Sequence, residues 1–166
     1  MKIIALSKEN VNEYREIRLE ALRNNPEAFS SSYEEEKEMP DDAFANRLGN
    51  EASITLAAKD ESGLLGVVTL VREQKKKIAH RANIFAMYVT PEARGKGVGK
   101  ALMKEIIERA RKYEGIEQIY LSVMSENEPA KKLYASCGFQ VYGNDRRALK
   151  IDGCYYDEDM MNLYLV

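Results

Sequence analysis

A glycine-rich segment between a strand and a helix constrains this chain more than any other feature. Its residues are Arg94-Gly95-Lys96-Gly97-Val98-Gly99-Lys100. An apolar run ending at Val89 precedes it, and an amphipathic helical pattern follows it. Glycines let a backbone approach a ligand without Cβ clashes, and free N–H groups at a helix start attract anions. Because three basic side chains add positive charge, the segment predicts a polyanion site whose natural occupant is a pyrophosphate.

Two well-known phosphate-binding loops do not match this segment. A Walker A loop ends in Gly-Lys-Ser/Thr, and the G-x-G-x-x-G spacing of dinucleotide-binding loops is not met from Gly95. The dinucleotide loop also follows the first strand of its domain, whereas this segment comes late in the chain. Taken alone, the glycines fit a tight strand-to-helix turn with solvated lysines equally well, and both interpretations stay open at this point.

Hydrophobic periodicity predicts one mixed α/β domain over residues 1–166, without an internal repeat or linker. Strands are predicted at 2–6, 54–59, 64–71, 84–89, 119–124, 139–151 and 154–166, and helices at 11–24, 41–48, 99–113 and 129–137. The stretch 28–39 is predicted to be irregular and acidic. Asp152-Gly153 is a strong hairpin signal between the last two strands. A helical crossover in the second half indicates a pair of parallel strands.

Composition and charge exclude several classes of function. The chain has 45% apolar and 31% charged residues and a net charge of −2, which argues against nucleic-acid binding by bulk electrostatics. No window approaches the roughly 18 apolar residues of a membrane span, and the apolar start at 1–6 is too short for a signal peptide. The two cysteines, Cys137 and Cys154, indicate buried or half-buried thiols in a cytoplasmic protein. With His80 the only histidine, no metal site is expected.

A second motif follows the glycine-rich segment and points to a family. The chain has Asn127 and Ala130, then Leu133-Tyr134, then Gly138-Phe139. This spacing resembles the N-x-x-A-x-x-L-Y-x-x-x-G-F segment of the GNAT acetyltransferases, and Arg94-x-x-Gly97-x-Gly99 resembles their acetyl-CoA motif. The two motifs occur in the family's order, with a predicted strand between them. The resemblance is good from about residue 52 onward and weak before it.

The resemblance implies a fold, a cosubstrate and an activity. The implied fold is a mixed, mostly antiparallel sheet of about seven strands, flanked by four helices and splayed between its two central strands. The implied activity is acetyl transfer from acetyl-CoA to a primary amine of a small molecule or peptide, by direct attack in a ternary complex. A non-catalytic acetyl-CoA sensor or partner module of the same fold stays open as the alternative. Unpaired edge strands near the C-terminus also favour a homodimer.

The family pattern implies a role for each matching position. Backbone groups of Met87, Tyr88 and Val89 would pair with the pantetheine arm, which Asn127 would also hydrogen-bond. The pyrophosphate would be held by Arg94, Gly95, Lys96, Gly97, Val98, Gly99 and Lys100. Tyr134 would donate its phenolic proton to the leaving thiolate, because a pKa of about 10 keeps it protonated at neutral pH. On spacing alone, Tyr134 fits a core aromatic on a helix face better than an acid.

The general base is the least determined part of the predicted site. Some peptide N-terminus acetylators of the family carry a glutamate at the position of Ser122, and a serine is a poor base. The remaining candidates are Glu34, Glu35, Glu36, His80 and water relays. The acidic run around Glu34 and Glu35 also predicts attraction of a cationic acceptor such as a polyamine or aminoglycoside. A solvated acidic helix start explains the same run equally well.

Overall fold

The computed structural model describes all residues from 1 to 166, which form seven strands and five α-helices. The seven strands are β1 Lys2–Ala5, β2 Ser53–Asp60, β3 Gly63–Arg72, β4 Arg81–Val89, β5 Gln118–Met124, β6 Gln140–Ile151 and β7 Cys154–Tyr164. The five α-helices are α1 Val11–Asn24, α2 Tyr33–Lys37, α3 Asp41–Leu48, α4 Val98–Lys112 and α5 Glu128–Ser136. No helix is long and apolar enough to cross a bilayer.

The strands form a single seven-stranded sheet in the order β1-β2-β3-β4-β5-β7-β6. Only the pair β4 and β5 is parallel, and every other neighbouring pair is antiparallel. A parallel pair needs a crossover, and α4 provides it between β4 and β5. The predicted mixed, mostly antiparallel sheet is therefore confirmed.

The two central strands separate soon after they meet. Backbone pairing between β4 and β5 covers only Arg81–Asn83 and Gln118–Tyr120, although both strands continue beyond it. Further along β4, the register with β3 shifts, and Ala86 adopts a φ of 54°. Such a bulge bends a strand away from its neighbour. The predicted splay of the middle strands is therefore present.

Each face of the sheet carries its own apolar core. In the sequence of α4, Val98, Leu102, Ile106 and Ala110 recur every four residues, and all four are buried on one face of the sheet together with Met103. On the opposite face, Tyr14 of α1 and Phe44 of α3 pack edge to face, with ring centroids 6.3 Å apart. Burying a large apolar side chain stabilises a fold by roughly 1.5–3 kcal/mol. Both cores therefore hold the strands that surround the splay.

Two expectations from the sequence are corrected here. The stretch 28–39 is not wholly irregular, because α2 lies within it, so five helices flank the sheet instead of four. Ser32 and Glu35 form a capping box: Glu35 N–H donates to Ser32 Oγ at 3.1 Å, and Ser32 N–H donates to Glu35 Oε2 at 2.9 Å. Both cysteines are free, but Cys154 is exposed instead of buried or half-buried, because it begins β7 directly after the hairpin turn.

Candidate active site

A cavity of about 1040 Å³ opens where β4 and β5 separate, and residues from both faces of the sheet line it. Its two ends differ in chemistry. At one end lie the glycine-rich segment and α5, and at the other lie side chains of α1, α3 and the sheet face that these helices leave partly open. Ligand pockets usually measure roughly 300–1,000 Å³. The cavity is therefore large enough for two substrates that approach from opposite faces.

The glycine-rich segment presents an uninterrupted row of unpaired backbone donors. No N–H group from Gly95 to Lys100 has a hydrogen-bond acceptor in the protein, and Ala101 is the first residue of α4 whose N–H is bonded, to Gly97 O at 3.0 Å. Gly97 caps the helix without a side chain that could satisfy these donors. A row of free amides at the positive end of a helix dipole matches the oxygens of a diphosphate.

Backbone geometry explains why this segment needs glycine. Gly95 and Gly97 have φ values of 73° and 81°, in the left-handed region that other residues enter only at a cost. At Gly99, a Cβ atom would lie 3.1 Å from Leu133 and 3.2 Å from Met87, so its absence keeps α4 close to both neighbours.

The basic side chains of the segment have separate surroundings. Arg94 donates from Nε to Val89 O at 3.0 Å and from Nη2 to Asn25 Oδ1 at 2.8 Å, which ties the segment to the end of β4. Lys100 lines the cavity. Lys96 is exposed and borders a smaller neighbouring cavity instead.

The end of β4 supplies backbone to the cavity wall. Met87, Tyr88 and Val89 all line the cavity beyond the point where β5 departs. The Tyr88 ring is buried against α1, where its hydroxyl donates to Glu20 Oε1 at 2.8 Å. Peptide groups on the β5 side of this stretch have no partner strand, so they are available to an extended ligand.

Helix α5 contributes a buried phenol to the wall of the cavity. Asn127 caps this helix by accepting from Ala130 N–H at 3.2 Å, which leaves its Nδ2 group free to donate. Tyr134, 7% exposed, packs edge to face on Phe139, with centroids 6.2 Å apart. Tyr134 lines the cavity, and its hydroxyl makes no hydrogen bond within the protein. Burial, aided by Cys137, raises the pKa of Tyr134 to about 12, so the phenol is protonated at neutral pH.

The opposite face of the splay carries a carboxylate that the sequence did not single out as a site residue. Glu158 of β7 pairs with Met124 of β5, two residues beyond Ser122 on the same face, and both Glu158 and Ser122 line the cavity. Glu158 forms neither a hydrogen bond nor an ion pair, and burial, followed by the charge of Asp145, raises its pKa. A half-buried carboxylate with a raised pKa is a candidate proton acceptor.

A buried ion cluster borders the end of the cavity that α1 and α3 line. Arg18 donates to Glu36 from Nε at 3.0 Å and from Nη2 at 2.8 Å, and Arg47 donates to the same carboxylate at 3.0 and 3.2 Å. The Arg18 guanidinium also lies 4.8 Å from the centre of the Phe29 ring. Burial alone would raise the pKa of Glu36, but the two arginines outweigh it and lower the pKa to about 2. Glu36 is therefore an anion held by two cations.

The other base candidates from the sequence lie elsewhere. Glu34 and Glu35 are exposed on α2 and do not line the cavity, and the Glu35 carboxylate is engaged in the capping box. His80 is half-buried outside the cavity, in the loop before β4. A signal for the ion cluster was present in the sequence, because Arg18 falls on the apolar face of α1. Glu158 carried no comparable signal, since strand pairing alone brings it to the splay.

Comparison with known proteins agrees with this geometry. The profile of the acetyltransferase (GNAT) family matches residues 13–139. The L-amino acid N-acetyltransferase AaaT of Escherichia coli is 30% identical over 118 residues, which cover 70% of this chain and 72% of that protein. The spermidine N(1)-acetyltransferase of Vibrio cholerae is 28% identical over 149 residues, which cover 87% of this chain and 83% of that protein.

Solved structures show the same fold. An acetyltransferase of the GNAT family from Streptococcus pneumoniae superposes with a TM-score of 0.87 at 21% identity, covering 99% of both chains. An acetyltransferase from Salmonella typhimurium, solved with its cofactor acetyl-CoA, also gives 0.87, at 20% identity, covering 100% of this chain and 94% of that one.

The chain belongs to the GNAT acetyltransferase family. Membership confirms the resemblance noted in the sequence, and with it the predicted fold and the class of enzyme, an N-acetyltransferase that uses acetyl-CoA.

Proposed function

We propose that the chain transfers the acetyl group of acetyl-CoA to a primary amine of a small molecule or peptide, by direct attack in a ternary complex. One observation carries the proposal: a single cavity joins the free amides at the start of α4 to the Tyr134 hydroxyl and continues to the opposite sheet face. Two of the relatives are named for acetylating L-amino acids and spermidine, and both kinds of acceptor have primary amines.

The cofactor end of the cavity would hold coenzyme A by its backbone. The diphosphate would accept hydrogen bonds from the amides of Gly95 to Lys100, with Lys100 adding charge from within the cavity and Lys96 from outside it. The pantetheine arm would lie along Met87–Val89 as an added strand, and the free Nδ2 of Asn127 would donate to it. Arg94 would act mainly by holding this segment against Val89. An N–H at the Val89 end would hydrogen-bond the thioester oxygen as it gains charge.

Acetyl transfer then needs alignment and two proton movements. The amine nitrogen attacks the carbonyl carbon, the C–S bond breaks, and the departing thiolate receives the Tyr134 proton. Holding the two reactants in attack geometry supplies much of the rate enhancement. Because burial raises the pKa of Tyr134 to about 12, the phenol is protonated and available as a donor at neutral pH.

For the second proton movement, we propose Glu158 as the acceptor of the ammonium proton. The carboxylate lines the cavity on the face from which an amine would approach, and it has no internal partner to compete for that proton. Glu34 and Glu35, proposed from sequence as base or acceptor contacts, would need an acceptor long enough to extend beyond the cavity to α2. Glutamine variants at Glu158, Glu34 and Glu35, compared in one assay, separate these alternatives.

The test of the proposed function is thiol release from acetyl-CoA with a panel of amines. The panel contains spermidine, an aminoglycoside, amino acids and short peptides. We expect acceptor-dependent release with at least one amine, reduced by about 10²-fold or more in Tyr134→Phe. Tight acetyl-CoA binding without turnover on any amine would instead favour the sensor module. Transfer to hydroxyls alone would show the amine assignment to be wrong.

The predicted homodimer and cytoplasmic location are proposals as well. Strand β6 is an edge of the sheet, and it exposes Val141 and Tyr142, each at 52%. An apolar sheet edge favours association with a second copy. Light scattering in solution tests the homodimer, and fractionation of host cells tests the location.

A further inference from the structure

The end of the cavity that α1 and α3 line is called the acceptor end, because the proposed amine would enter from it. It holds more positive charge than its carboxylates balance. Arg18 and Arg47 share one carboxylate, Glu36, so this cluster keeps one positive charge. Arg81 also lines the cavity, and its guanidinium forms no hydrogen bond or ion pair within the protein. Glu158 stands apart, without an ionic partner of its own. A cavity built for a polyamine would be lined by several unpaired carboxylates, whereas three arginines here outnumber Glu36 and Glu158.

One further carboxylate, Glu27, lines the cavity from the short helical turn Pro26–Ala28 that follows α1. Glu27 accepts a hydrogen bond from Asn25 Nδ2 at 3.4 Å, and Asn25 in turn accepts from Arg94 at 2.8 Å. Glu27 is thus linked to Arg94 through Asn25, and it forms no ion pair with Arg18 or Arg47, whose ion pairs are with Glu36 alone.

Arg81 is held ready for an anion by its aromatic neighbour. Its guanidinium lies 3.9 Å from the centre of the Tyr120 ring, which Tyr142 supports from the side with centroids 5.6 Å apart. A stacked guanidinium loses little freedom on binding and keeps its in-plane N–H donors available. Tyr120 and Ser122 point to the same sheet face, about 7 Å apart along β5. Arg81 therefore lies near Ser122, beside which the amine would react, without blocking that position.

We propose that the natural acceptor carries an anionic group, such as a carboxylate, together with its amine. The inference rests on the proposed function and names the acceptor class within it. Arg81 pairs with the anionic group, while the amine lies beside Ser122 and Glu158. Arg81 is thus a specificity-determining residue, and the acceptor is an amino acid, an ω-amino acid or a short peptide acid instead of a polyamine.

The experiment compares amines that differ only in charge. Amino acids with one to five methylenes between amine and carboxylate are assayed beside their carboxamides, and spermidine is included. For at least one length we expect kcat/KM for the acid to exceed that for the amide by roughly tenfold or more, because charge-assisted hydrogen bonds are strong. The α-amino amide has the less basic amine, so intrinsic reactivity at neutral pH opposes this preference.

Three variants attribute the preference to Arg81. Arg81→Gln should lower the acid-to-amide ratio of kcat/KM towards one, whereas Arg81→Lys should retain part of the ratio. Arg72→Gln is the matched control, because Arg72 also stacks on a tyrosine, 4.4 Å from the Tyr113 ring centre, but lies outside the cavity. The control should leave the ratio unchanged, and thermal melting verifies that all three variants are folded.

The outcomes separate this inference from the proposed function. Amides or spermidine used as well as the acids, or a ratio that Arg81→Gln does not change, would overturn the acceptor class while acetyl transfer stands. If no amine releases thiol, the proposed function fails. In that case, calorimetry measures how tightly the acid and the amide bind to the enzyme in complex with coenzyme A. Tighter binding of the acid that is lost in Arg81→Gln would support recognition of the anionic group, and equal binding of acid and amide would refute it.

Discussion

Replacing Glu36 with glutamine removes the most deeply buried charge in the protein. The side chain is 1% exposed and holds Arg18 and Arg47 together through four hydrogen bonds. The pKa of Glu36 falls from its ordinary value of 4.5 to about 2 in the folded protein. Since one pKa unit corresponds to about 1.36 kcal/mol, the folded environment favours the anion by about 3 kcal/mol at neutral pH.

Glu36→Gln should therefore lose about 3 kcal/mol of unfolding free energy at pH 7. This agrees with the roughly 3–5 kcal/mol observed when one partner of a buried ion pair is removed. For a chain of this length, the melting temperature should fall by roughly 6–12 °C. Urea denaturation measures the free energy directly, and an unchanged m-value would show that the same surface is exposed on unfolding.

The stabilisation that Glu36 provides should depend on pH in a defined direction. The folded pKa lies below the unfolded value, so Glu36 stabilises the fold fully above about pH 4.5 and progressively less as the pH falls towards 2. The difference in unfolding free energy between wild type and Glu36→Gln should accordingly be constant near neutral pH and become smaller below about pH 4.5. Glu34→Gln, an exposed change on the same helix, is the control and should cost no more than about 0.5 kcal/mol. A Glu36→Gln protein within about 1 kcal/mol of wild type at pH 7 would refute the reasoning.

Three further predictions concern the site. Tyr134→Phe should lower kcat by about 10²-fold or more and leave the melting temperature nearly unchanged, because the hydroxyl has no internal hydrogen bond to lose; equal activity would exclude the phenol as the acid. Gly97→Ala should weaken acetyl-CoA binding measured by calorimetry, since φ is 81° there and a Cβ costs roughly 1–2 kcal/mol in this region. Gly115→Ala, with a φ of 84° outside the cavity, should lose similar stability but bind normally. Glu158→Gln should remove the rising limb of the pH profile of kcat/KM, which wild type should show above the ordinary glutamate range because burial raises this pKa; an unchanged limb would assign the base elsewhere.

Local patterns explain which parts of the fold were predictable. The spacing of four in α4 identified its buried face, because a helix repeats nearly every four residues whatever it packs against. Asp152-Gly153 identified the last hairpin, where both residues have positive φ values, because only a few residues tolerate that turn. Helix α2 was missed although Ser32 and Glu35 are spaced for a capping box. Five residues carry too little periodicity to outweigh an acidic composition.

The sequence by itself determined the family and identified the glycine-rich segment and Tyr134. Each of these depends on residues close together in the chain, where backbone geometry follows from local chemistry. Only the tertiary structure decided the acceptor end of the cavity. Arg18, Glu36 and Arg47 come from three helices, while Arg81 and Glu158 come from strands β4 and β7. Contacts across such separations depend on how the sheet is ordered and where it splays, which no spacing along the chain encodes.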